Sequence, residues 1–367
     1  MKKILILLIL ILTLSASVCA QSDARIFING IRLNEKIMSD GGHLYVPLKA
    51  IAEALGASMT WDENSNTAYV AFTEDDAIAK IVENTSPSVV TIVGNYQNGG
   101  EEDRYNNLTA HGSGVVYKAN GYIVTNAHVV KDLKNLTVVF SDGTLMPGKV
   151  LCSDELSDIA IVKVDRIGLS SITFADEQSI VSGKTAIAIG TPISLTMRNT
   201  VTKGIVCGNG VSVKGSHYKL IQTDTTVNPG NSGGPLLNTK GELIGITSSK
   251  YVSMDIDNVA FAIPVDTVQY VIKQYEQYGF VKRTEFQFEL EPSWEAKIGL
   301  PTKKGLTVKN SKHPTLLDGD VIISLNDTEV HSITDWNEAL KQHCNAQTLR
   351  IRFTRNNVVM EEQINIQ

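Results

Sequence analysis

The chain has 367 residues, enough for two or three domains, and 43% of them are apolar, an ordinary fraction for a globular protein. Against 33 Lys and Arg stand 39 Asp and Glu, a net charge of −6. So mild an acidic excess supplies no strong positive field, which excludes electrostatic capture of nucleic acid as the main activity.

The N-terminus reads as a targeting segment. Lys2 and Lys3 precede an almost wholly apolar stretch from Ile4 to Leu14, and Val18-Cys19-Ala20 ends in a small residue. The apolar run of about eleven residues is shorter than the roughly 20 a spanning helix needs. Cleavage after Ala20 makes residues 1–20 a signal peptide and leaves the chain secreted or at the cell surface. Retention of the segment as an uncleaved membrane anchor is the alternative. Both are extracytoplasmic. Without Cys19, the cysteines are Cys152, Cys207 and Cys344. An odd number cannot all pair within one chain. Free thiols acting as small apolar residues are expected. No Cys-x-x-Cys or His-rich spacing exists, so neither a metal site nor a cofactor is expected.

Residues 24–73 read as a small α+β unit. Ile26-Phe27-Ile28 and Ile31-Arg32-Leu33 flank Asn29-Gly30, a strong hairpin signal. Leu44-Tyr45-Val46 is another short strand. Pro47 opens a helix that runs to Leu55 and stops at Gly56, with Leu48, Ile51, Ala52 and Leu55 on one face. Met59-Thr60-Trp61 and Thr67-Ala68-Tyr69-Val70 make a second hairpin. This arrangement resembles the copper amine oxidase N-terminal-like domain of secreted bacterial proteins. His43 is its one histidine and no ligand cluster surrounds it, so copper binding is not expected. Attachment to the cell surface or to another protein is one reading of such a unit. A passive stalk is the other.

Residues 74–280 form the next unit. It opens with a helix from Glu74 to Val82. Short apolar runs then follow one another, broken by Gly, Asn, Asp and Pro. Val89-Val90-Thr91-Ile92-Val93, Ile159-Ala160-Ile161-Val162 and Ala186-Ile187-Ala188-Ile189 are examples. Many short strands with turn signals between them predict antiparallel barrels. A closing helix is expected from Val265 to Tyr278.

Three residues in this unit make a chemical statement. His128 stands at a strand end in Thr125-Asn126-Ala127-His128-Val129-Val130. Ser232 lies in Asn228-Pro229-Gly230-Asn231-Ser232-Gly233-Gly234-Pro235-Leu236. A serine hydroxyl is almost never ionised at pH 7, so it needs an imidazole to take its proton as it attacks. Asp158 starts an apolar strand between them, where a carboxylate accepts the imidazole N–H and fixes the tautomer. Its rivals are Asp154, earlier in the polar loop, and Asp165, after the strand has ended. The oxyanion hole is expected at Gly230, Asn231 and Ser232. Gly230 and Ser232 supply backbone donors, with Asn231 between them. His128 and Asp158 fall in the first half and Ser232 in the second, which puts the site in a crevice between two barrels.

With these residues in view, the sequence resembles the HtrA/DegP family of trypsin-like serine proteases. Pro87-Ser88-Val89-Val90, Gly112-Ser113-Gly114-Val115-Val116, the His128, Asp158 and Ser232 segments and Phe261-Ala262-Ile263-Pro264 carry the resemblance. It implies a chymotrypsin-like fold, and a serine endopeptidase that cleaves unfolded or damaged proteins in extracytoplasmic quality control. A homotrimer is implied by the family alone. Two features depart from the pattern. Thr225-Thr226-Val227 replaces small apolar residues ahead of Asn228, and the stretch from Asn95 to Thr109 is short. The position six before the nucleophile is the uncharged Thr226, so aliphatic residues before the scissile bond are expected rather than Arg or Lys.

Residues 286–367 change pattern again. Gly305-Leu306-Thr307-Val308, then Asp318-Gly319-Asp320-Val321-Ile322, then a helix from Ile333 to Leu340 resemble a PDZ domain. Such a domain accepts peptide C-termini by strand addition and seats the carboxylate on loop amides. Ile298, Gly299 and Leu300 are the expected seat. A degenerate domain that only packs on the protease is the alternative. The fold class read from the whole chain is mainly β: a double β-barrel, a small N-terminal α+β domain and a C-terminal PDZ domain. A binding or chaperone module with an idle site is the rival from another class, and cleavage of unfolded casein separates the two.

Overall fold

A computed structural model describes residues 25–28, 31–71, 74–96, 109–251 and 258–365. The chain divides into two units after Lys80.

The first unit is built of local pairings. Strands Phe27–Ile28 and Ile31–Arg32 pair, though the Asn29-Gly30 turn lies outside the described residues. Met38–Asp40 pairs with His43–Tyr45, and Ser58–Asp62 with Thr67–Ala71. The helix Leu48–Ala54 lies between these hairpins, and Gly56 takes a positive φ just after it. Of the expected apolar face only Ala52 is fully buried, while Leu48 and Leu55 stand exposed. So short a stretch of chain buries little of its own apolar surface.

The second unit opens within the helix Glu74–Thr85 and continues into a seven-stranded antiparallel sheet. Its order is Leu145–Pro147, Leu133–Val139, Val89–Tyr96, Thr109–Lys118, Tyr122–Asn126, Ile159–Lys163, Lys149–Asp154. The two outermost strands follow each other directly in sequence, joined at Gly148, whose N–H donates to Leu136 O at 2.8 Å. The sheet thus curls on itself and is closed by the chain. Val90, Ile92, Val116, Ile123, Val138 and Val162 fill the inside.

Six further strands form a barrel closed by hydrogen bonds. They run Thr185–Gly190, Thr200–Val211, Leu220–Thr223, Ala260–Pro264, Leu243–Ser248, Pro235–Leu237. Ala188, Val206, Ile221, Leu236, Ile244 and Ala262 are its core. The helix Val265–Tyr278 ends at Gly279 in the left-handed region. The expected succession of two barrels and a closing helix is therefore found.

Beyond it stands a separate sheet, Glu289–Glu291, Leu306–Lys309, Val321–Leu325, Thr348–Arg355, Val358–Asn365, with the helix Ile333–Gln342 against it. Ser332 and Asp335 cap that helix reciprocally. Trp336 turns inward onto Phe286 and Phe288.

Polar contacts fix this helix on the second barrel. Lys219 N–H donates to Glu338 Oε1 at 2.8 Å, and Asn337 Nδ2 to His217 O at 2.9 Å. Lys341 is buried, bonded to Asp266, to Thr267 Oγ1 at 2.9 Å and to Glu338 at 2.6 Å. Burial opposes its charge, but Glu338 and Asp266 outweigh that and raise its pKa. In the segment before the sheet, Arg283 bonds Asp154 of the first barrel and the Tyr218 hydroxyl of the second. Its guanidinium also lies over Tyr218 and Tyr270.

Replacing Lys341 leaves two carboxylates facing each other without a cation. Lys341→Met is expected to cost about 3 kcal/mol of unfolding free energy in urea titrations. The triple change with Asp266→Asn and Glu338→Gln is expected to recover most of it.

Candidate active site

Register brings Asp158 and His128 together. Strand Ile159–Lys163 pairs with Tyr122–Asn126, Ile159 opposite Asn126. The next residue outward on each strand is then Asp158 on one and Ala127 on the other, and Ala127 N–H donates to Asp158 O at 3.0 Å. His128 follows in the single-turn helix Ala127–Val130. Asp158 has φ +56, a left-handed conformation that Asp tolerates better than most residues. The bend turns its carboxylate toward the imidazole.

Asp158 is 1% exposed. A buried carboxylate needs donors, and this one has three. His128 N–H reaches Oδ1 at 3.1 Å, His128 Nδ1 lies 2.8 Å from Oδ2, and Ser248 Oγ donates to Oδ2 at 3.1 Å. An ionised carboxylate accepts only, so Nδ1 carries the proton and Nε2 keeps its lone pair. The nearby Tyr251 hydroxyl has its pKa pushed up to about 12, by burial first and by the Asp158 charge second.

The rivals sit elsewhere. Asp154 accepts from Ser157 N–H at 3.0 Å and from Arg283. Asp165 is fully exposed beside Lys163.

Ser232 is 3% exposed, in the turn before strand Pro235–Leu237. Ser113 N–H donates to Ser232 O at 2.8 Å and so ties this turn to the first barrel. Ser232 Oγ accepts from Ser249 N–H at 2.9 Å and lies 2.6 Å from Ser249 Oγ. Among the described residues it makes no hydrogen bond to His128, and His128 Nε2 has no partner. Gly233 has φ +87, and a Cβ there would meet Ser113 O at 2.1 Å, so close approach as well as conformation demands glycine.

The carbonyls around Ser232 show where the amides point. Each peptide is planar and trans, so its C=O and N–H face opposite ways. Pro229 O accepts from Ile193 N–H at 2.8 Å. Asn231 O accepts from Gly234 N–H at 2.9 Å and Thr247 Oγ1 at 2.7 Å. With both carbonyls held behind, Gly230 N–H and Ser232 N–H point forward, and among the described residues neither has an acceptor. Asn231 N–H closes a turn onto Asn228 O at 2.9 Å, so Asn231 lies between the two free amides with its own N–H already engaged. Thr226 is exposed, and its carbonyl accepts from Thr202 Oγ1 at 3.0 Å.

One expected set is not assembled. Ile298, Gly299 and Leu300 end the short helix Trp294–Lys297. Their amides are spent on it: Ile298 N–H on Glu295 O, Gly299 N–H on Ala296 O, Leu300 N–H on Glu295 O. No donor remains there to seat a carboxylate. The segment 283–287 instead borders a cavity of about 660 Å³, with His313 and Pro314 opposite. Among the described residues the amides of Phe286 and Gln287 have no acceptor. Sequence reasoning does not find Ser113, Ser248 and Ser249 as site residues. Their one signal is hydroxyls on otherwise apolar strands, as in Leu243-Ile244-Gly245-Ile246-Thr247-Ser248, where fully buried Thr247 and Ser248 need partners.

Comparison with known proteins agrees with this geometry. The trypsin-like peptidase domain matches residues 112–246, and the copper amine oxidase N-terminal domain residues 27–89. "Serine protease Do-like HtrA" of Lactococcus lactis subsp. lactis (strain IL1403) is 33% identical, over 68% of this chain and 68% of that protein. Its namesake in Bacillus subtilis (strain 168) is 32% identical, over 81% of this chain and 74% of that protein. Among solved structures, the HtrA-type protease AlgW with a tripeptide superposes with a TM-score of 0.63 at 27% identity, covering 78% of this chain and 96% of that one. The serine endoprotease from Yersinia pestis gives 0.60 at 28% identity, over 81% and 98%. The chain belongs to the HtrA family of serine proteases and is a serine endopeptidase of chymotrypsin-like fold.

Proposed function

We propose that Ser232, His128 and Asp158 are the catalytic triad. The observation that carries this is the Asp158 carboxylate held on His128 Nδ1, which leaves Nε2 as a base. A turn about the Ser232 Cα–Cβ bond takes Oγ from Ser249 to Nε2 as substrate enters. Ser232 then attacks the peptide carbonyl, His128 takes its proton and returns it to the leaving amine, and Asp158 stabilises the imidazolium. Gly230 and Ser232 amides receive the oxyanion.

The substrates are unfolded or damaged proteins met outside the cytoplasm. The family supports that class, and Thr226 supports uncharged residues before the scissile bond. No described helix is long and apolar enough to cross a membrane. The N-terminal segment read as a signal or anchor lies outside the described residues, so secretion or surface retention rests on its sequence pattern and trimer formation on the resemblance. The C-terminal sheet acts as a PDZ-like domain for peptide C-termini. Strand Glu289–Glu291 is an end strand of that sheet, and among the described residues no strand pairs with its outer side. The segment 284–287 leads into that strand and is the seat for the carboxylate, in place of 298–300.

Ser232→Ala is expected to abolish casein digestion with the melting temperature unchanged; digestion by the pure variant would sink the triad. Asp158→Asn is expected to lower kcat on the order of 10⁴-fold by presenting the wrong tautomer. Asp154→Asn should leave far more activity, and the reverse ranking would exchange their roles.

Deleting residues 286–367 is expected to reduce cleavage of casein more than cleavage of a short chromogenic peptide. The domain raises the local concentration of a long chain at the site, and a short peptide cannot span both contacts. Equal proportional losses would point to a packing role instead.

A further inference from the structure

Ile193 lies in the loop after strand Thr185–Gly190 and has φ +60. For a β-branched residue this is an outlier. Ser194 N–H donates to Pro192 O at 2.5 Å, closing a three-residue turn around Ile193. A γ-turn with positive central φ is the rare and strained kind. The Ile193 side chain is 68% exposed, so its packing does not account for the strain.

The turn has a visible result: it aims Ile193 N–H at Pro229 O, 2.8 Å away. Just ahead of it, Thr191 is braced on the first barrel. Its Oγ1 lies 2.6 Å from Thr91 Oγ1, its N–H donates to Ser113 Oγ at 3.1 Å, and its carbonyl lies 3.1 Å from His111 Nε2. On the other side of Gly230, Ser113 Oγ donates to Gly230 O at 2.8 Å. The Pro229–Gly230 peptide is thus the hinge of the donor turn, and Ile193 holds its carbonyl.

We propose that Ile193 is a positioning residue for the oxyanion hole: its strained turn captures the Pro229 carbonyl and so keeps Gly230 N–H facing the substrate. This rests on the reading of the Gly230 and Ser232 amides as the oxyanion donors. Relaxation of Ile193 to negative φ withdraws its N–H. The 229–230 peptide then loses its anchor and rotates, and one of two donors leaves the hole. Strain favours the relaxed state and the hydrogen bond the aimed one, so the loop has two positions.

The test is steady-state kinetics on a chromogenic peptide. In Ile193→Gly the residue adopts positive φ without strain, and kcat is expected to rise several-fold at unchanged KM. Ile193→Val keeps the β-branch and controls for lost side-chain volume; its kcat stays below that of the glycine variant. Ile193→Pro has no N–H and a fixed negative φ. Its kcat is expected to fall on the order of 10²- to 10³-fold, the loss of one oxyanion donor, with KM little changed. Affinity for a peptide boronate, whose tetrahedral adduct places an oxygen in the hole, falls in parallel. Equal kcat for the glycine and valine variants overturns the proposal. So does a proline variant of wild-type melting temperature that keeps its kcat and boronate affinity. Both results leave the triad standing, whereas an inactive wild type overturns the two together.

Discussion

One buried carboxylate organises the protease. Asp158 is sealed from water, and an isolated charge there would be far too costly to keep. Its donors come from both barrels, His128 from the first and Ser248 from the second. Satisfying the charge therefore also locates the barrels against each other. The imidazole is set by the same hydrogen bonds. Local register, barrel closure and the tautomer of the base are in this sense one constraint.

The serine turn follows a complementary logic. Two amides remain unspent because the carbonyls of their own peptides are engaged behind them. Ile193 supplies that backing to Pro229 O from outside the turn, and Gly234 and Thr247 supply it to Asn231 O from just beyond it. In the proposed mechanism this prepares a site for a developing negative charge before any substrate arrives, which is how preorganised dipoles gain their effect. The Ser232 hydroxyl itself is held apart, on Ser249. Aiming the donors and aiming the hydroxyl are separate events here.

What the sequence revealed and what it hid divide along physical lines. His128, Asp158 and Ser232, the proposed triad, stand out in the sequence because each lies at a strand boundary marked by turn residues. The two barrels were legible from short apolar runs. Ser248, Ser249 and Ile193 were not, because their importance lies in where a hydroxyl or an amide ends up after folding. Nothing in an Ile-Ser dipeptide announces a left-handed backbone. The 298–300 segment differs from its expectation for a local reason. A backbone N–H near a glycine is a free donor only if no local carbonyl takes it first, and there the carbonyls of Glu295 and Ala296 do. The small N-terminal unit kept its hairpins but not its buried helix face, since local pairing needs only neighbours whereas burial needs a partner surface.

Arg283 touches the first barrel at Asp154, the second at Tyr218, and leads directly into the C-terminal sheet. Prying the barrels apart, or pulling the C-terminal sheet away, strains the same guanidinium. Partial openings of this molecule should therefore not respect the domain boundaries seen in the sequence. Hydrogen exchange around Asp154, Tyr218 and the segment after Tyr278 would proceed as one cooperative block, of which the linker is a full member.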